Sequence, residues 1–391
     1  MTSGQVKRRT HLCQTKKSST HLEETRSFEP KITNLVTAHL PGNHQHGGKE
    51  ENLGRGEKGK IGKGKSCCLW SYEELPEYMK DNEFIHKYYR VEWPLKEAFF
   101  SLFQWHNETL NVWTHLFGFG LFLGLTIFEL VSVPQVGDLL GMFRSSPSGT
   151  VETNISLNSK QPLMGAAKLL DLNHMTNLGY DGSLGGTLAK RWPFYVFLGG
   201  SMFCLLSSSV CHLFSCHSYH LSTQLFRVDY FGITIMIITS FFPPIFYIFQ
   251  CNPVWQIVYL SIISLLGLFI AITLLSPTLS SGEYRGFRAI LFVSMAFFGI
   301  FPAIHGILVN WDNPKRNATL LYEFLMALFY LVGTGFYVSR VPERFKPGWF
   351  DLAGHSHQIF HVFVVLGALA HYVAAQEFLK YRDIVGCDAG L

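Results

Sequence analysis

The chain has 391 residues, of which 48% are hydrophobic, 15% aromatic and only 15% charged. Soluble domains carry about 25% charged residues, so an ordinary water-soluble globule is excluded. The formal charge is a modest +4, and no aromatic platform is interleaved with the basic stretch, so nucleic acid is not an expected partner.

Residues 1–70 read as a disordered, basic, cytosolic tail. Of the 32 Lys and Arg, 17 lie before residue 110, and Arg55 to Lys65 (RGEKGKIGKGK) is both basic and Gly-rich. Such a stretch builds no core; it suits a solvated linker or a contact with anionic lipid headgroups. Cys67 and Cys68 follow it, either as cytosolic thiols or as palmitoylation sites. The first residues lack an apolar core, so no cleavable secretory signal is expected. Residues 71–110 mix acids, bases and aromatics, which predicts amphipathic helices at the membrane interface, interrupted before Pro94.

Seven apolar runs follow within a membrane domain over 111–385, at about 112–133, 193–216, 229–250, 254–275, 287–309, 320–339 and 357–377. Each can cross ~30 Å of hydrocarbon, which takes roughly 20 helical residues, and the helix is the backbone state that satisfies itself there. The expected fold is therefore an all-α bundle of seven transmembrane helices. Pro243 and Pro244 predict a kink in the third. A long, mostly disordered outer loop is expected over 134–191, and a short C-terminal tail over 386–391. The inner loops would carry Arg227, Arg285, Arg288, Arg340, Arg344 and Lys346, against Lys315, Arg316, Lys380 and Arg382 outside. With the basic tail, this predicts a cytosolic N-terminus. The sequons at Asn154 and Asn317 then fall outside, and the match at Asn107 falls inside.

Ionisable groups in such helices are costly and point to function. Ser208 and His212 stand four apart at the end of the second run, and His357 and His361 stand four apart at the start of the seventh. Residues so spaced share a helix face. Asp229 opens the third run, so His212, Asp229, His357 and His361 are expected at one depth near the inner side, with Ser208 one turn before His212. Three neutral imidazoles and an open position suit a catalytic Zn2+. Asp229 would activate a water, and Ser208 would orient a ligand or stabilise an oxyanion, although a hydrogen bond back to its own helix explains the serine equally well. A structural metal is the rival reading; a b-type haem would leave the His357/His361 pair redundant. His115, His305, His355 and His371 are read as packing or interfacial histidines.

These stretches, NETLNVWTHLFGF (107–119), SSSVCHLFSCHS (207–218), DYFGI (229–233), SRVPERFKPGWFD (339–351) and SHQIFHV (356–362), resemble the adiponectin receptor and progestin-receptor-like family, related to hemolysin III proteins. The first is most similar to the plant heptahelical members. The resemblance implies a seven-helix receptor with its N-terminus inside. It implies zinc ligands at His212, His357 and His361, a water-contacting aspartate at Asp229 and the superfamily serine at Ser208. Ceramide-hydrolysing activity is attributed to some members. The tail before residue 70 and the 134–191 loop depart from the family pattern, so no protein-hormone partner is carried over.

Three functions are open at this stage: a signalling receptor whose zinc site hydrolyses a lipid amide such as ceramide, a non-catalytic receptor or membrane scaffold with structural zinc, and a proton-coupled transporter or channel. Expected partners are membrane lipids, a lipid amide substrate, an extracellular ligand and a cytosolic signalling partner reached through the N-terminal region. Plasma membrane and endomembrane fit equally.

Overall fold

The computed structural model describes residues 68–131, 190–276, 279, 282–311 and 313–385. The expected tail over most of 1–70, nearly all of the expected 134–191 loop and the 386–391 tail lie outside the described residues.

Among the described residues, seven helical segments are long and apolar enough to cross a membrane. They are Thr109–Val131, Trp192–Phe214, Tyr219–Ile248, Pro253–Leu274, Gly282–Val309, Arg316–Ser339 and Ser356–Ile384, called here the first to seventh spans. Each span packs on the next in chain order, and the seventh returns to the first, closing a ring. In the second and seventh spans 61% and 56% of the apolar stretch is buried, against no more than 33% elsewhere. These two are therefore the inner pair, and they carry the histidines. The remaining spans turn side chains such as Phe117, Phe128, Leu265, Phe269, Phe301 and Leu308 outward, as hydrocarbon contact requires.

Local chemistry explains the boundaries. The second span begins with Pro193 in its first turn, where a missing N–H costs nothing. The third starts at Tyr219 and is capped by Ser218, whose hydroxyl accepts from Leu221 N. That start precedes the expected one by ten residues, because the polar stretch YHLSTQLFRV is helical although it is not apolar. Asp229 therefore does not open its helix; it lies about 15 Å along it. The kink expected at Pro243 and Pro244 is a break, with one helix ending at Ser240 and the next running Phe242–Ile248. A second break, ahead of Pro302, divides the fifth span between Phe297 and Ile300.

One apolar core, built on Phe122, Phe197, Leu198, Leu205, Val364 and Ala368, joins the first, second and seventh spans. Another, around Phe241, Ile245, Ile263, Ile270 and Met295, joins the third, fourth and fifth. At Gly232 an added Cβ would collide with the Ser207 side chain, so this glycine lets the second and third spans meet closely.

The segment expected as amphipathic helices is mostly something else. Strand β1 (Leu69–Trp70) pairs antiparallel with β2 (Tyr89–Arg90). Two 3-10 turns lie between them, and only Leu95–Phe100 is α-helical. Pro76 and Pro94 each stand just ahead of a helical turn and disfavour helix in the residue before them, and Tyr88 and Glu92 take positive φ of 71° and 52°. Leu75, Ile85 and Tyr89 bury against one another, making a small cap over one end of the bundle.

Candidate metal centre

His212 lies in the last turn of the second span; His357 and His361 lie in the first two turns of the seventh. Their rings form a nearly equilateral triangle, with centroids 5.0 Å apart for His212 and His357, 4.9 Å for His212 and His361, and 4.7 Å for His357 and His361. One ring nitrogen from each falls within 4.8 Å of the others, a group able to hold a metal ion. The Nε2 atoms of His212 and His357 are 3.3 Å apart. Tetrahedral nitrogen ligands at ~2.0–2.1 Å from an ion stand roughly 3.3–3.4 Å from each other.

The outward nitrogens are anchored. His212 Nδ1 donates to Glu108 Oε2 at 2.8 Å, and His361 Nδ1 donates to the Asn111 carbonyl at 3.1 Å. Carboxylates and carbonyls only accept, so these bonds place the proton on Nδ1 and leave Nε2 free to coordinate. Asn111 Nδ2 donates to the same Glu108 oxygen at 2.6 Å. Burial alone would raise the Glu108 carboxyl, but the His212 imidazole and the Asn111 amide hold it well below the usual carboxylate range. Arg90, buried to 2% exposure, donates to the carbonyls of His212 and Leu213 at 2.8 and 2.9 Å. It thereby caps the helix end on which His212 sits.

Asp229 and Ser208 are both buried. The serines on either side of Ser208 bond to their own helix, Ser207 to the Cys204 carbonyl and Ser209 to that of Leu205, each at 2.9 Å. Ser208 instead interacts with the Asp229 carboxyl group. The two stand about one turn deeper than His212, so the five predicted residues share a side of the membrane without sharing one level.

His115 is more than a packing histidine. Its ring stacks on His361, with centroids 3.6 Å apart and planes within 8°. His305 accepts or donates at Tyr259 Oη, 3.0 Å away, and His371 pairs with Glu323 at 3.0 Å; both lie in the far half of the bundle. His355 is the residue before the seventh span and contacts the Asn107 carbonyl at 3.3 Å. Glu108, Asn111 and Arg90 were not singled out from sequence. Glu108 stood inside the Asn107 sequon, and the available signal was an acid at the mouth of an apolar run, facing the same side as the histidines.

All five predicted residues line one cavity of about 1340 Å³. Its cap end is polar, with Asp81, Arg285 and Arg340; its deep end is apolar, with Ile237, Phe292 and Leu331. A heptahelical bundle with a buried three-histidine cluster opening into such a cavity defines a class of integral, multi-pass membrane protein. Residues 103–372 match the Haemolysin-III related family, and the chain belongs to it. The chain is 56% identical to heptahelical transmembrane protein 1 of Arabidopsis thaliana over 319 residues, 82% of this chain and 83% of that one. It is 53% identical to heptahelical transmembrane protein ADIPOR1 of Oryza sativa subsp. japonica, covering 84% and 88%. It is also 32% identical to the adiponectin receptor protein of Drosophila melanogaster, covering 80% and 60%.

Proposed function

We propose that this protein is an adiponectin-receptor-like signalling receptor whose buried site binds Zn2+ and hydrolyses a lipid amide of the ceramide type. The observation that carries the reading is the triangle of histidine rings at the polar end of a cavity whose other end is apolar. That arrangement sets a water-dependent centre beside room for hydrocarbon. The donor set suits zinc: three neutral nitrogens, two of them oriented by hydrogen bonds, with a fourth direction open to the cavity.

A zinc ion held by His212, His357 and His361 would acidify a water and polarise an amide carbonyl. The protein's part is to place the proton acceptor and the acyl chain. Asp229 takes the proton from the water and returns it to the leaving nitrogen. Ser208 holds the Asp229 carboxyl in position, and Glu108 fixes the His212 ring. The apolar walls take the acyl chain and keep bulk water away.

An N-terminus inside, with the site toward the cytosol, is supported by Arg285, Arg288, Arg340 and Arg344 at the cap end. It is also supported by Cys251, which is disulfide-bonded and lies at the opposite end between the third and fourth spans; disulfides persist in oxidising compartments. An extracellular ligand and a cytosolic partner at the N-terminal region complete the receptor reading.

The test is elemental analysis of the detergent-purified full chain beside His357→Ala/His361→Ala, followed by a hydrolysis assay of Asp229→Asn. About one zinc per chain, absent from the double variant, with turnover lost and zinc kept in Asp229→Asn, is the expected result. Zinc without turnover in the wild type would leave a structural metal, and no zinc would remove the mechanism.

A further inference from the structure

The metal centre does not use the basic groups at the cavity mouth. Arg285 and Arg288, at the cap end of the fifth span, are 7% and 3% exposed. Both line the cavity, as does Arg340 at the end of the sixth span. Burying guanidinium groups is costly unless they meet anions. Arg288 donates to the Leu279 carbonyl and the Tyr337 hydroxyl, whereas Arg285 and Arg340 meet anions from the cap. Arg285 Nη2 donates to Asp81 Oδ2 at 2.5 Å, and Arg340 pairs with Glu83 and with the Asp81 carbonyl.

The two partners in each pair are held very differently. The Arg285 side chain is 9% exposed and that of Asp81 59%; for Arg340 and Glu83 the values are 18% and 54%. The arginines are fixed in the bundle, and the carboxylates reach in from solvent. Arg285 is fixed further by the Tyr337 ring, 5.3 Å below its guanidinium. Its Nε is buried and has no hydrogen-bond partner. An arginine fork with an unused donor, built into a cavity wall, is shaped for an oxyanion with more oxygens than Asp81 provides.

Tyr337 also fixes the distance to the chemistry. Its ring lies 5.7 Å from that of His357, so one tyrosine separates the arginine from the histidine triangle. A molecule reaching both would carry its anion a few bonds from the group that faces the histidines, with its hydrocarbon in the deep apolar end.

The geometry points to a phosphate subsite formed by Arg285 and Arg340, which Asp81 and Glu83 occupy until a lipid bearing a phosphate monoester headgroup displaces them. The substrate class of the cavity is then an acylated amino-alcohol phosphate rather than a neutral lipid amide. This rests on the reading that the cavity takes a lipid, not on turnover, so binding tests it separately from hydrolysis.

The experiment measures equilibrium binding of a dye-labelled, short-chain N-acylsphingosine phosphate and of its unphosphorylated counterpart to the full chain in detergent, with inorganic phosphate as competitor. The wild type should prefer the phosphorylated lipid about tenfold or more, the range of a charged hydrogen bond. Arg285→Gln should reduce that preference to near parity and leave the neutral lipid unaffected. Asp81→Asn removes the stand-in carboxylate and should tighten the phosphorylated lipid alone. Gly282→Ala should act alike, since its Cβ would sit 2.5 Å from Asp81 Oδ1. Equal affinities in the wild type, or an unchanged preference in both Arg285→Gln and Asp81→Asn, would overturn the subsite. Competition by inorganic phosphate at concentrations comparable to the lipid would overturn the lipid assignment in favour of a free anion. Loss of hydrolysis with the preference intact would count against the enzyme reading alone.

Discussion

His212 Nδ1 and Glu108 Oε2 are 2.8 Å apart, and this bond joins the end of the second span to the entrance of the first. A charged acceptor behind a coordinating imidazole raises its basicity and fixes its ring plane. Glu108→Gln keeps the size of the side chain and removes the charge. The expected outcome is a fall in metal affinity of about 10- to 100-fold, with little change in thermal unfolding. Chelator competition on the purified protein measures it, and an unaltered affinity would remove Glu108 from the centre.

Arg90 carries a larger structural burden. It serves two carbonyls at the end of the second span and the Ser101 hydroxyl. Arg90→Met should leave these acceptors buried and unpaired, at about 1.5–3 kcal/mol. Arg90→Lys should recover only part of the loss, because a single ammonium lacks the fork that reaches both carbonyls. Thermal unfolding in detergent reports the ranking, and Met equal to wild type would refute it.

The close approach of the second and third spans rests on Gly232, where a side chain would meet Ser207 and the Cys204 backbone. Gly232→Val should cost about 1–3 kcal/mol through overpacking and separate Ser208 from Asp229. Gly335→Ala, at a position with nothing within 4 Å, should change stability by no more than about 0.5 kcal/mol. Comparable unfolding temperatures for the two variants would contradict this.

A pH dependence follows from His106, which precedes the first span. Burial, and secondarily the Arg90 charge, push this imidazole down to about 3. An unfolded histidine titrates near ~6.5. Between those values the unfolded chain binds the proton and the folded one does not, so stability is full above pH ~6.5 and declines as pH falls toward 3. Acidifying from 6.5 to 5 should cost up to roughly 2 kcal/mol from this group. Unfolding temperatures at several pH values should fall less steeply in His106→Gln; parallel slopes would argue against it.

Much of the site was legible because the relevant signals are local. The four-residue spacing of Ser208 with His212 and of His357 with His361 follows from helix periodicity, and the structure brings these faces together. The charge of Asp229 marks it in the sequence but does not give its level: hydropathy marks where a helix becomes apolar, not where it begins, and this helix begins ten residues earlier, at Tyr219, behind its Ser218 cap. His115 has no ionisable residue four positions away on its own helix to mark it as part of a site. Its actual partner is the His361 ring in another helix, which no spacing rule could find.

Sequence alone determined seven runs long and apolar enough to cross a membrane, with three histidines at the ends of two of them, because span length and helical period are properties of consecutive residues. Only the tertiary structure decided what surrounds those histidines. Arg90 meets His212 across 122 positions and Asp81 meets Arg285 across 204. Such pairings depend on how the cap folds over the bundle. Prolines and positive-φ residues turn the expected cap helices into a small strand pair with short turns. That change of local structure delivers Arg90, Asp81 and Glu83 to the mouth of the cavity.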